Sequence, residues 1–224
     1  MNKSFLRNTV AMLVGLSMLI GLAGCSAKGA NSIVKYAKRT HGDCEVISKT
    51  EEEGKTTVVL KDSLQGFEYT ITSSMQDIIV DGAYFGSAEG ETDTFRMEAI
   101  NYAADKAKVE LTTVCYRYDI TYEVDSNVDL ITITLNEDGF DASLIAYDFY
   151  SVIKKYNVDG RLDGLVIVVD HSDKWLEDEY AKLREDESIS EYDTVFSSAG
   201  GAELRRIGSI TLPNGSFVYG DIEE

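Results

Sequence analysis

Three short stretches bring together side chains with chemical potential. His41-Gly42-Asp43-Cys44 places an imidazole, a carboxylate and a thiol side by side, the parts of an activated thiol nucleophile. Successive side chains on a strand point to opposite faces, so these neighbours would not meet if a strand starts here. Cys44 therefore reads as structural. Asp170-His171-Ser172-Asp173 offers two carboxylates to a hard cation, directly after an apolar run. Ser172 and Asp173 are equally good helix N-caps, and Lys174 stands where a D-x-S-x-S metal motif needs serine. Asn136 to Gly139 looks like the middle of a calcium loop, but the frame puts Thr134 at its first position and Ile145 at its last. The two histidines, His41 and His171, lie far apart, with no zinc-type Cys/His spacing. Nucleophile-elbow, P-loop and dinucleotide-binding patterns are absent. No catalytic residue and no cofactor are assigned. Asp170 and Asp173 stand as candidate metal ligands, and Tyr84 and Phe85, in a glycine-rich stretch, as a candidate binding surface.

The chain has three cysteines. One, Cys25, follows Leu22-Ala23-Gly24 at the end of an apolar run from Val10 that carries only Ser17 and glycines besides apolar residues. The preceding seven residues hold Lys3 and Arg7 and no acid. The run is shorter than the roughly 20 residues a membrane span needs, and has the length of a signal-peptide core. Leu22-Ala23-Gly24-Cys25 resembles the lipobox of bacterial lipoproteins. That resemblance implies cleavage before Cys25, a diacylglyceryl group on its thiol, and a protein anchored in a membrane and facing out of the cytoplasm. It covers residues 1–25 only. Two acyl chains make a durable anchor where one would not. Cys44 and Cys115 are then the remaining thiols in a compartment that permits oxidation. A disulfide between them is expected.

Charge narrows the partners. The chain carries −18 at pH 7, and residues 1–24 contribute two of its positive charges. Such a field repels nucleic acid. It favours a basic protein or peptide. The exception is the segment from Cys25 to Gly42, which contains Lys28, Lys35, Lys38 and Arg39 and no acid. Bases next to an anionic leaflet gain about 1 kcal/mol each. This segment is expected to lie against the membrane, with the acidic bulk turned away.

The elements that hold these residues follow from periodicity. Residues 1–24 form the signal peptide and 25–30 a tether. Residues 31–224 form a single acidic domain with possible sub-units 31–90 and 92–224. Asn31-Ser32 cap a helix to Arg39. Strands are predicted over Cys44 to Lys49, Thr56 to Lys61 and Phe67 to Thr72, with Ile78 to Val80 continuing the meander. The stretch from Asp81 to Asp93 reads as a loop. Thr92 or Asp93 caps a helix from Thr94 to about Lys108, with Ile100, Ala103, Ala104, Ala107 and Leu111 inward. Val114, Tyr116, Tyr118, Ile120, Tyr122 and Val124 share one phase of a period of two. That predicts a half-buried strand with Tyr116, Tyr118 and Tyr122 in the core. Val128 to Leu135 returns beside it. Asp141 caps a helix to Tyr156, Leu165 to Val169 is a central strand, and Ser172 or Asp173 caps a helix carrying Trp175 and Leu176. A hairpin turns at Asn214-Gly215. The class is α+β, mainly an antiparallel sheet with segregated helices packed on one face. The expected function is a lipid-anchored extracytoplasmic binding module that captures a basic protein or peptide. The alternatives are an envelope hydrolase using carboxylates or a metal near Asp170, and a structural envelope protein.

Overall fold

In a computed structural model, residues 27–81, 83–136, 140–185 and 205–220 are described. Of Tyr84 and Phe85 only the backbone is described. The chain is α+β and divides into two compact units, with the boundary after Phe95.

The first unit is a helix on a meander. Helix α1 (Ala30–Thr40) buries Ala30, Ile33 and Ala37, spaced three and four apart, against β1 (Cys44–Glu52) and β2 (Lys55–Asp62). The opposite side of α1 exposes Lys35, Lys38 and Arg39. Asn31 and Ser32 are not the cap. Gly29 begins the helix without a side-chain bond, and the Ala30 N–H donates to Glu51 Oε1 at 2.9 Å from the neighbouring strand. Strand β2 buries Thr56, Val58, Leu60 and Asp62 in strict alternation. Strand β3 (Glu68–Val80) pairs with it antiparallel and buries Tyr69, Ile71 and Ser73 on the same face.

The stretch expected to be a loop is the fourth strand. Strand β4 (Ala83–Asp93) pairs antiparallel with β3 along its whole length. Gly86 and Gly90 weaken its strand signal, yet Ser87, Glu89, Glu91 and Asp93 still alternate. The sheet order is β1-β2-β3-β4. Strand β3 meets β2 only as far as Ser74, opposite Lys55. The Met75 N–H still donates to the Gly54 carbonyl in the β1–β2 turn at 2.8 Å, and from Gln76 to Val80 the hairpin runs on as a two-stranded arm with β4.

Helix α2 (Phe95–Tyr118) opens the second unit. Asp93 Oδ1 accepts its first N–H, from Phe95, at 2.9 Å. The expected strand from Val114 to Tyr118 is instead the last turn of this helix. The helical spacing of Ile100, Ala103, Ala107, Leu111 and Val114, all buried, prevails over the alternating pattern. Tyr116, expected in the core, is 92% exposed. Asp119, at φ 50°, takes the left-handed conformation that ends helices. The alternation holds from β5 (Ile120–Asp125) onward, where Ile120 is buried and Tyr122 and Val124 are half-buried.

Strand β5 pairs with β6 (Leu130–Leu135), which buries Ile131, Ile133 and Leu135. Helix α3 (Ala142–Ile153) has the predicted cap. Asp141 accepts from the N–H groups of Ser143 and Leu144. The helix buries Ile145, Ala146, Phe149, Val152 and Ile153 and packs on β7 (Val166–His171), β8 (Arg206–Thr211) and β9 (Phe217–Tyr219). The order is β5-β6-β7-β8-β9, with the apolar β7 central as expected. Strands β6 and β7 run parallel and the other pairs antiparallel, so α3 is the crossover a parallel pair requires. Helix α4 (Asp173–Glu185) follows β7.

Candidate functional site

The chain's first described side chains reach the root of the β3–β4 arm. Ser73 Oγ is buried on the core face of β3 and accepts the Lys28 N–H at 2.9 Å. Its hydroxyl donates a hydrogen bond to Glu89 Oε1 at 2.6 Å. Lys28 N–H also reaches Glu89 Oε1 at 3.3 Å. The Lys28 ammonium bonds Glu91, lies 3.8 Å from Glu89 and sits over the Tyr36 ring. The electrostatics follow. The Ser73 hydroxyl, then the Lys28 charge, hold the Glu89 carboxyl below the usual range. The bond to Glu91 raises Lys28 above the ordinary lysine value. Asn31 accepts from Lys49 Nζ at 3.0 Å. The start of the domain is thus fastened to sheet residues of its own unit.

Beyond that root, the face of β3 that carries Ser73 continues through Met75, Asp77 and Ile79. Burial falls along it: Ser73 is covered, Met75 half-covered, and Asp77 and Ile79 exposed. The Asp77 carboxylate accepts from Ser87 Oγ at 2.8 Å. From Asp62 to Phe95 the chain has seven acids and no Lys, Arg or His. Tyr84 and Phe85 fall at the tip end of β4.

The other sequence candidates have structural roles. Asp170 Oδ1 accepts from Arg206 Nε at 2.6 Å, and Asp173 pairs with Arg205. The His171 ring stacks on Trp175, and the Ser172 hydroxyl accepts from the Trp175 N–H at 3.3 Å. The segment is a strand-to-helix junction, and each of its carboxylates already faces a guanidinium. Among the described residues no three His, Cys, Asp or Glu side chains form a metal cluster.

His41 Nε2 bonds Asp93 Oδ2 at 2.6 Å and its ring lies 4.1 Å from Phe95, stacked. Tyr69 closes on both from the edge. Burial, then the neighbouring Cys44, push the Tyr69 hydroxyl far above its ordinary value. This cluster is the aromatic heart of the first unit.

Cys44, buried at the start of β1, and Cys115, half-buried on α2, are both free thiols. The disulfide expected between them rested on a strand at Cys115, and that residue is helical. Burial pushes the Cys115 thiol up. Cys25 lies outside the described residues, as do Asn136's neighbours Glu137–Gly139. No helix among the described residues is long and apolar enough to cross a membrane.

One groove of about 300 Å³ runs between α2 and α3. Its charges are satisfied internally. Lys155 pairs with Glu110, and Asp148 accepts from both Arg117 and Tyr118 at 2.8 Å.

Comparison of the chain with protein-family models, with curated proteins and with solved structures gives no match.

Ser73, Glu89 and Glu91 were not among the residues expected from sequence. The alternation of Glu89 and Glu91 was a visible sign of a strand face. Its partner, Lys28, is more than sixty residues away and leaves no local trace.

Proposed function

We propose that the chain is a lipid-anchored, extracytoplasmic binding lipoprotein whose acidic surface takes a basic protein or peptide. The observation that carries this reading is the Leu22-Ala23-Gly24-Cys25 stretch followed at once by a fastened residue, Lys28. Three residues of extended chain reach about 10 Å at most. An acylated Cys25 would therefore hold the first unit at the bilayer surface. The exposed ridge of Lys35, Lys38 and Arg39 on α1 suits an anionic leaflet. The acids of the β3–β4 hairpin suit a cationic partner.

Metabolic labelling with a palmitate analogue tests the anchor. The wild-type chain is expected to take up label and fractionate with membranes, and Cys25→Ala to take up none. Membrane-fractionating Cys25→Ala of mature mass would refute it.

A further inference from the structure

The β3–β4 arm ends in an apolar tip on an acidic shaft. From Ile78 to Phe85 the chain carries one charged residue, Asp81, whereas the strand residues behind it include Asp77, Glu89, Glu91 and Asp93. Ile78 is 45% and Ile79 64% exposed, and as neighbours on β3 they point to opposite faces. A β-bulge at Phe85 breaks the register opposite this pair, which makes the outer edge of β4 a poor template for a further strand.

Apolar side chains on both faces suit a lipid surface better than a protein. A partner laid along one face would leave the other isoleucine in water, whereas a fluid phase surrounds a tip on every side. An acylated Cys25 would set how near that phase lies. Lys28 sits on Ser73 at the root of the arm, three residues after Cys25. Three extended residues reach about 10 Å, and Gln76–Val80 run about 17 Å beyond the root. The side of the sheet that carries Ile79 is also the side on which α1 packs, with Lys35, Lys38 and Arg39 exposed on the outward side of that helix.

Depth is limited by the backbone and by one charge. The open edges of a two-stranded ribbon cannot enter hydrocarbon, where their N–H and C=O groups would find no partner. Asp81, at the turn with φ 50°, needs the water of the headgroup layer. The acids of the shaft gain nothing from an anionic surface, so the contact is apolar and neutral lipid suffices for it. Two side chains bind lipid weakly by themselves, but an anchor at the root keeps the bilayer at high local concentration around the tip.

We propose that the tip of the arm, around Ile78 and Ile79, enters the interfacial layer of the bilayer that holds the lipid anchor, as an apolar contact separate from the bases of α1. The inference rests on the proposed acylation of Cys25 and adds a second point of attachment to it, one that fixes how the first unit stands on the membrane.

The test uses the chain produced in a bacterium with its first 25 residues intact and reconstituted into phosphatidylcholine vesicles. Trp175 is the only tryptophan, so Trp175→Phe gives a silent background. Into it go Ile78→Trp, Ile79→Trp and, as a control, Leu64→Trp, an exposed site in the β2–β3 turn at the other end of β3. All variants are checked for an unchanged melting curve. Ile78→Trp and Ile79→Trp are each expected to lose emission about twofold to lipid brominated near the headgroups, and less to lipid brominated at the chain ends. Leu64→Trp should keep its emission. Adding Ile79→Glu to Ile78→Trp should abolish the quenching, since the native isoleucine drives the contact. Chain that floats with the vesicles but is unquenched at 78 and 79, or quenched equally at 64, overturns the arm contact and leaves the anchor standing. Quenching at only one of the two positions, or quenching that survives Ile79→Glu, overturns entry of the tip. Chain that does not float overturns anchor and arm together.

Discussion

The Lys28 N–H donates to the buried Ser73 hydroxyl at 2.9 Å, a bond between residues 45 apart that sets where the chain joins its first unit. The Ser73 hydroxyl in turn donates a hydrogen bond to Glu89, so one side chain holds both the backbone of the incoming segment and the carboxylate opposite its ammonium.

Removing that hydroxyl should be felt twice. Ser73→Ala is expected to cost about 1 kcal/mol of stability by urea denaturation, as a lost buried hydrogen bond does. It should also release Glu89. The carboxyl titrates below the usual range in the wild type, with the Ser73 bond as the first cause, and in the variant its midpoint should rise. Carbon-detected NMR titration reads the shift directly; an unmoved Glu89 midpoint contradicts the assignment.

Replacing Lys35, Lys38 and Arg39 together by Gln should weaken the chain's contact with anionic vesicles. At about 1 kcal/mol per base the loss is up to roughly a hundredfold, and shrinks as salt rises. Adding Lys28→Gln should bring little more, because its ammonium is already paired with Glu91. Sedimentation with vesicles at low and high salt measures both effects.

Phe149 is fully buried on α3 and meets the Tyr122 ring at 5.4 Å. Phe149→Ala is expected to destabilise the second unit by about 3–5 kcal/mol. Denaturation followed by tyrosine and tryptophan fluorescence should show it.

Asp141 gives the second unit an acid-sensitive element. The Ser143 hydroxyl, followed by the N–H of Leu144, depresses its carboxyl pKa. A carboxyl depressed by folding stabilises the fold fully above its unfolded value, and that contribution is lost as pH falls through the folded one. Melting temperature between pH 7 and pH 3 should therefore fall less steeply in Asp141→Asn than in wild type, from a lower start at pH 7.

Several elements were legible in the residues. Asp141 before an apolar helical stripe, and the unbroken run Leu165–Val169, named α3 and the central β7 directly. Where two periods coexist the sequence is ambiguous. Val114 belongs both to the helical series with Ala107 and Leu111 and to the alternating series with Tyr116 and Tyr118, and only the turn at Asp119 separates them. Gly86 and Gly90 concealed β4, whose strand state depends on pairing with β3 rather than on its own propensity. The site was less legible than the fold. Its carboxylates were visible as a charge excess, but the seating of Lys28 upon them is a non-local contact.

The parallel pairing of β6 and β7 sets a tempo for folding. All strands of the first unit join their sequence neighbours, so it can assemble hairpin by hairpin. In the second unit β6 ends at Leu135 and β7 begins at Val166, and the central strand cannot pair with β6 until α3 has closed that distance. The first unit is the more local of the two and the first to leave the ribosome. A nascent chain thus completes one cooperative piece before β6 and β7 of the other come together.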